Sequence, residues 1–193
     1  MTTIVTTHSD KYATMYADEG ITGDYIHPDM NKIVHQGTWL VAVCGEDRIC
    51  DVLQYLVKYP TPPQYLINKP YDEWLKWMVS RVIPEIAKAV EKSLHKSYKN
   101  SIGESDLLLI THGKAFLISE TLGVSKAHPY WSIGSGSPIA LGYLAGNSYE
   151  PDWDSLHSSY ARRAIETAQM HDPYTRGKIK GYASYNDGSV KEI

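Results

Sequence analysis

The chain has 193 residues, a formal net charge of −3 and a hydrophobic content of 42%. This length and composition predict one globular domain, residues 1–193, that can bury a full core without metals or disulfides. The charge balance is slightly acidic and there is no basic stripe, so we expect no nucleic-acid partner. The sequence shows neither a signal-peptide pattern nor an apolar run of roughly 20 residues, so we expect a cytoplasmic protein without a membrane partner.

The first part of the chain predicts two β-hairpins. Residues 2–7 and 11–17 are rich in β-branched and aromatic side chains and flank a polar turn, which is typical of a hairpin. Residues 32–35 and 39–44 form a second pair of this kind around a turn at Gln36 and Gly37.

A helical region follows the two hairpins. Between residues 47 and 59, apolar side chains recur at intervals of three and four, which predicts an amphipathic helix that ends before Pro60. Residues 60–70 are rich in proline and are expected to be extended. The apolar spacing then predicts a helix over residues 71–94, which Pro84 should kink or interrupt.

The second half of the chain returns to strands and then to helices. The patterns predict strands over 107–111, 115–119 and 131–134, helices over 138–144 and 155–170, and a closing strand over 178–185 with a hairpin turn at 186–188. This order does not alternate strand, helix, strand. It predicts an α+β fold in which two mainly antiparallel sheets pack face to face, with helices on their outer faces.

Thr2 becomes the first residue of the chain if Met1 is removed. One residue then carries a nucleophile and a base, because the hydroxyl can attack a carbonyl while the α-amine, or a nearby lysine, accepts the proton. Removal of Met1 is expected since the side chain of Thr2 is small. With Met1 attached, the Thr2 nitrogen is an amide and cannot act as a base.

Two charged residues are candidates to accompany Thr2. If the first two strands form a hairpin, Asp18 returns beside the start of the first strand, and Lys32 opens the third strand. The alternative interpretation is a surface ion pair worth about 0–1 kcal/mol. The α-amine, with a pKa of about 7.8, is the readier base at pH 7, whereas a lysine at about 10.4 can serve only if its pKa is lowered. The sequence leaves this choice open.

Several short segments occur in one order along the chain. They are Thr2-Thr3-Ile4-Val5, Asp18 with Thr22, Asn31-Lys32-Ile33-Val34, Cys44-Gly45, Ile133-Gly134-Ser135-Gly136-Ser137, and Ala161-Arg162-Arg163-Ala164-Ile165 followed by Asp172, Tyr174, Thr175 and Gly177. Together they resemble the proteasome-type N-terminal nucleophile (Ntn) hydrolases, that is, proteasome β subunits and the bacterial HslV peptidase. The last pattern is the most specific of these matches.

The resemblance implies a four-layer αββα sandwich and a threonine-type endopeptidase. It assigns Thr2 as the nucleophile, Asp18 and Lys32 as its charged partners, and the backbone N–H of Gly45 as the oxyanion donor. The groups that would hold the Thr2 amine and a water are Ser135, Asp172 and Thr175.

The same resemblance implies where the substrate lies. An extended peptide is expected between Thr22 and the Gly45 segment, as an added strand. The residues expected around the first side-chain pocket are Ile21, Met30, Val34 and Val43, with Asp47 at its edge. We expect an apolar preference, and Asp47 could favour basic residues instead.

The resemblance also implies stacked homo-oligomeric rings of six or seven subunits that act on unfolded polypeptide. The sequence has no P-loop motif, so ATP-driven unfolding would need a separate ATPase partner. The histidines and cysteines show no ligand spacing, so no metal or other cofactor is expected. Two alternatives stay open: a catalytically silent ring subunit of the same fold, and an Ntn amidohydrolase that acts on a small amide.

Overall fold

The computed structural model describes residues 2–20, 31–94 and 101–193. These residues form two five-stranded sheets in which all neighbouring strands are antiparallel. The strands are β1 (Thr3–His8), β2 (Tyr12–Asp18), β3 (Ile33–Gln36), β4 (Trp39–Cys44), β5 (Asp106–Thr111), β6 (Lys114–Ile118), β7 (Val124–Lys126), β8 (Tyr130–Gly134), β9 (Ile179–Tyr185) and β10 (Val190–Glu192). The first sheet has the order β10-β9-β2-β1-β8 and the second has the order β3-β4-β5-β6-β7. Both predicted hairpins are therefore present, one in each sheet.

The helices of the described residues lie in two groups along the chain. They are α1 (Asp47–Asp51), α2 (Tyr71–Trp77), α3 (Ile83–Ser93), α4 (Ser137–Asn147) and α5 (Trp153–His171). None of the helices in these described ranges is both long and apolar enough to cross a membrane.

The helix predicted over residues 47–59 is shorter than its apolar pattern. It starts as α1, continues as a π-helical segment over Val52–Leu56, and ends there because Val57 is extended, with φ −71° and ψ 131°. Residues before a proline are biased away from helical geometry, and Tyr59 precedes Pro60. Val57 is buried in the same apolar cluster as Ile49, Val52 and Leu53. Its apolar side chain therefore belongs to an extended segment that packs on the core, not to the helix.

Pro84 interrupts the α-helical hydrogen bonding predicted over residues 71–94 without ending the helix. The turn before it, Met78–Val82, is π-helical, and Pro84 itself lies in the first turn of α3, where its missing N–H is tolerated. The connection before Pro129 contains an unpredicted strand, β7, which pairs with β6. Its three residues are too few to show an alternating pattern.

Alternation along the strands divides the apolar residues between three clusters. Ile4, Leu40 and Leu108 lie in the cluster between the two sheets. The next residue on β1, Val5, faces α4 and α5. Val41 faces α1, α2 and α3 on the outer side of the second sheet. The order across the molecule is therefore helices, sheet, sheet, helices.

The topology brings the ends of several strands to one edge of the first sheet. Thr3, at the start of β1, pairs with Gly134 at the end of β8, and Ile4 pairs with Ala17 near the end of β2. Asp18 in turn pairs with Ile179 at the start of β9. Thr2, Asp18, Ser135 and the segment between α5 and β9 must therefore converge.

Replacing a leucine between the sheets should cost far more than replacing an exposed one. Leu108 is fully buried, whereas Leu56 is 51% exposed. We expect Leu108→Ala to lower the free energy of unfolding by about 2–5 kcal/mol, because it removes buried methyl groups and leaves a cavity. The matched change Leu56→Ala should alter it by about 0.5 kcal/mol or less. Urea denaturation of both variants checks this, and equal losses would contradict the assignment of the core.

Candidate active site

The carboxylate of Asp18 is fully buried and accepts four hydrogen bonds. Its Oδ1 atom accepts from the Thr2 hydroxyl at 2.6 Å and from the Thr3 backbone N–H at 2.7 Å. Its Oδ2 atom accepts from Lys32 Nζ at 2.9 Å and from the Arg176 backbone N–H at 3.1 Å. These four donors occupy the acceptor positions that an ionised carboxylate offers.

The ion pair between Lys32 and Asp18 lies inside the protein. The side chain of Lys32 is only 10% exposed and that of Asp18 is not exposed at all. The alternative interpretation of a solvated surface pair therefore does not describe this geometry. Burial lowers the pKa of Lys32 below its usual value, although the attraction of Asp18 opposes this shift. Gln54 fixes the same residue from the other side, since its amide donates to the Lys32 carbonyl at 2.9 Å.

A second carboxylate, Asp172, lies directly after α5. Its Oδ2 atom accepts from the Thr175 hydroxyl at 2.6 Å and from the Ser135 hydroxyl at 2.7 Å, and its Oδ1 atom accepts from the Tyr174 N–H at 3.1 Å. Burial raises the pKa of Asp172, but the hydrogen bonds from Thr175, Ser135 and Tyr174 outweigh burial and leave the pKa below its usual value. The group is therefore ionised at neutral pH.

Glycines around Ser135 allow the start of the chain to lie against it. Gly134 has φ +95°, and a Cβ atom there would lie 1.9 Å from the Thr2 carbonyl oxygen. The Ser135 hydroxyl approaches that same oxygen at 3.4 Å. The Gly-Ser-Gly segment thus places a hydroxyl beside the backbone of Thr2 without a steric conflict.

A pocket opens beside Thr2. Gly45 is part of its wall and has φ +132°; a Cβ atom there would lie 2.3 Å from the Ser105 hydroxyl, so glycine is required. Of the residues expected around the first substrate pocket, Val43 and Asp47 line this space. Val34 is on β3, paired with Val41, and is not part of this lining in the described ranges. Ile21, Thr22 and Met30 lie outside the described residues.

The arrangement has the parts that hydrolysis of a carbonyl compound needs. A hydroxyl, Thr2 Oγ1, lies at a pocket and is held by a carboxylate that also binds an ammonium group. A second carboxylate with two hydroxyls lies behind the same residue. Such a hydroxyl can act as a nucleophile once a base removes its proton.

The chain is similar to two solved structures, Thiobacillus denitrificans BPH in complex with epoxomicin and Thiobacillus denitrificans BPH. The TM-scores are 0.71 and 0.70, and in each comparison 20% of residues are identical over 99% of this chain and 98% of the other chain. The chain therefore shares the fold of these structures. No family model and no curated protein matches the sequence.

Sequence reasoning placed Thr2, Asp18, Lys32, Ser135, Asp172 and Thr175 in one group, and the structure brings these residues together. It gave no role to Thr3 or to six residues of the pocket wall: Gly20, Asn31, Cys44, Cys50, Asp51 and Gln54. Asp51 follows Asp47 by four residues, so helical spacing alone could have placed both on one face. The sequence carries no comparable pattern for Thr3 or Gln54, because their partners are distant in the chain.

Glycine-to-alanine changes should have opposite effects on stability at the site and in α4. Gly134→Ala should displace Thr2 and lower the free energy of unfolding by about 1–3 kcal/mol, because it adds strain at a positive φ and a clash with a backbone oxygen. A Cβ atom on Gly142, within α4, would meet no atom within 4 Å, so Gly142→Ala should raise stability by about 0.5–1 kcal/mol. Thermal unfolding of both variants checks this, and a neutral Gly134→Ala would contradict the described contact.

Proposed function

We propose that this chain is a threonine-type peptidase that cleaves peptide bonds with the hydroxyl of Thr2 after Met1 has been removed. The observation that carries the proposal is the buried set of contacts among Thr2, Asp18 and Lys32 at the edge of a pocket. A buried ion pair that also holds a hydroxyl is costly to build for stability alone, since desolvation can exceed the attraction between the two charges.

The comparison with BPH supports the same reaction class. BPH has been solved in complex with epoxomicin, and the chain shares the fold of that structure over nearly its whole length. Epoxomicin is an epoxyketone, a class of electrophile directed at threonine nucleophiles. We infer that the Thr2 site of this chain accepts the same kind of reagent.

The proposed reaction begins with attack of Thr2 Oγ1 on the carbonyl carbon of a peptide bond. The free α-amine of Thr2 takes the hydroxyl proton, because an amine with a pKa of about 7.8 is partly neutral at pH 7. Lys32, paired with Asp18, supplies positive charge beside the developing alkoxide. The C–N bond then breaks, the proton passes from the amine to the leaving nitrogen, and an ester with Thr2 remains.

Water completes the cycle. The α-amine removes a proton from the water, which attacks the ester carbon; the bond to Thr2 Oγ1 breaks, and that oxygen takes the proton back. The Gly45 N–H is proposed to stabilise the negative oxygen in both steps, and such a donor is typically worth about 2.7–4 kcal/mol. Ser135 and Thr175, both bound to Asp172, are proposed to orient the amine and the water.

We also propose that the chain assembles into stacked rings of six or seven subunits. Its substrate would be unfolded polypeptide, supplied by a separate ATPase. Light scattering on the purified protein measures the ring assembly. A catalytically silent ring subunit would give rings without turnover. An Ntn amidohydrolase would be labelled by epoxomicin and would leave casein and peptides intact.

Epoxomicin labelling tests the proposed nucleophile. Protein purified without Met1 should gain the mass of one inhibitor, and peptide mapping should place the adduct on Thr2, because both the hydroxyl and the free amine are then at the chain terminus. Intact mass spectrometry measures both the loss of Met1 and the adduct. Thr2→Ala is the control and should stay unlabelled. A Met1-free protein that takes up no inhibitor would overturn the proposed function.

The pocket carries negative charge, and this leads us to propose a preference for basic side chains. Asp47 and Asp51 both line it, and the charge of Lys32, which also lines it, is balanced by Asp18. Burial raises the pKa of the Cys50 thiol in the same wall to about 11, and the charges of Asp47 and Asp51 add to this shift, so their field reaches the pocket. A cationic substrate side chain would gain from that field.

A panel of fluorogenic peptides with arginine, leucine or glutamate before the cleaved bond measures this preference. We expect the arginine peptide to be cleaved fastest, and Asp51→Asn to reduce its advantage about two- to fivefold, as expected for a partly exposed pair of charges. Asp154→Asn, which removes a charge from α5, is the control and should change nothing. Fastest cleavage of the leucine peptide would contradict this proposal and match the apolar preference expected from the sequence, and a preference for glutamate would contradict both.

A further inference from the structure

Thr3 links the two acidic groups of the site, Asp18 directly and Asp172 through Thr175. Its backbone N–H donates to Asp18 Oδ1 at 2.7 Å, the same oxygen that accepts the Thr2 hydroxyl. Its hydroxyl lies 2.5 Å from the Thr175 hydroxyl, and Thr175 is bound to Asp172. Thr3 is fully buried, so no solvent competes for these contacts.

The directions of the hydrogen bonds among Thr3, Thr175 and Asp172 follow from the single proton that each hydroxyl can donate. Asp172 is ionised and can only accept, so Thr175, at 2.6 Å, donates its single hydroxyl proton to Asp172 Oδ2. The short contact between Thr3 and Thr175 then requires Thr3 to be the donor. The result is a chain of two hydroxyls, from Thr3 through Thr175 to Asp172, in which each bond polarises the next.

The absence of a side chain at Gly136 leaves room for this pair of hydroxyls. A Cβ atom on Gly136 would lie 2.2 Å from the Thr3 hydroxyl and 2.7 Å from the Thr175 hydroxyl. The second glycine of the Gly-Ser-Gly segment is therefore needed for the contact between Thr3 and Thr175. That requirement is independent of the hydrogen-bond distances themselves.

We propose that Thr3 is a positioning residue for the reaction at Thr2: its hydroxyl fixes Thr175 on Asp172 and thereby holds the groups that orient the Thr2 amine. This inference rests on the proposed function. Thr3 is not part of the pocket wall, so it should influence the rate of the chemical step and leave the binding of inhibitor or substrate unchanged. Without the Thr3 hydroxyl, Thr175 can rotate away from the orientation that serves the amine.

The test measures how fast epoxomicin forms its adduct in Met1-free protein, separated into the inactivation rate constant and the inhibitor concentration for half-maximal rate. Thr3→Ala should lower the rate constant about tenfold, the effect of one lost buried hydrogen bond, and leave the half-maximal concentration unchanged. Thr3→Ser keeps the hydroxyl and should stay within about twofold of the unchanged protein. A first-order rate constant does not depend on how much of the sample is folded, so a purely structural role would not reproduce this pattern.

Two further variants complete the design. Gly136→Ala forces the two hydroxyls apart with Thr3 intact and should lower the same rate constant; it also replaces Thr3→Ala if that variant does not fold. Thr3→Ala added to Thr175→Ala should cause no further loss, because the two hydroxyls act in one chain.

The outcomes separate the two proposals. A full inactivation rate in folded Thr3→Ala or Gly136→Ala, or an equal loss in Thr3→Ser and Thr3→Ala, would overturn the role of Thr3 and leave the proposed function intact. Met1-free protein without any substitution that epoxomicin does not label would overturn the proposed function itself.

Discussion

The buried carboxylate of Asp18 is the constraint on which the site depends. Its four donors come from the start of the chain, from Lys32 before β3 and from Arg176 before β9, so one side chain fixes segments that are far apart in sequence. A carboxylate without these partners would be very unfavourable at this depth, and removing one charge of a buried pair typically costs about 3–5 kcal/mol. The Thr2 hydroxyl and the Lys32 ammonium group therefore have fixed positions before any substrate binds. Charge stabilisation of this preorganised kind is what catalysis of acyl transfer requires.

The rest of the fold positions the carboxylates of Asp18 and Asp172. Antiparallel pairing of β1 with β2 and β8 brings Asp18 and Ser135 to the start of the chain, and α5 delivers Asp172 to the same edge. Thr3 then joins the two acidic groups through its backbone and its hydroxyl. The site is thus built from strand ends and helix ends rather than from the sheet faces, which are occupied by the three apolar clusters.

Much of the fold could be predicted from the sequence because alternation and helical spacing are strong in the long elements. The hairpins β1–β2 and β3–β4 and the helix α5 are examples. Features decided by tertiary packing could not be predicted in this way. The apolar spacing predicts that Val57 is helical, whereas it is extended, and β7 is too short to show a pattern. At the site, the predicted hairpin placed Asp18 and Lys32 near Thr2, and motif resemblance added Asp172. The contacts of Thr3 and Gln54 were not found, because each depends on a partner that only the folded chain brings near.

The most direct test of the central role of Asp18 compares Asp18→Asn with the double variant Asp18→Asn/Lys32→Met. The single variant leaves Lys32 charged and buried without its partner, and we expect it to lose about 3–5 kcal/mol in free energy of unfolding and to react with epoxomicin far more slowly. The double variant removes the unpaired charge and should regain most of the stability while its reaction with epoxomicin stays slow. Urea denaturation and adduct formation measure the two properties on the same samples. A single variant with unchanged stability and an unchanged rate of adduct formation would show that the Asp18 carboxylate does not organise this site.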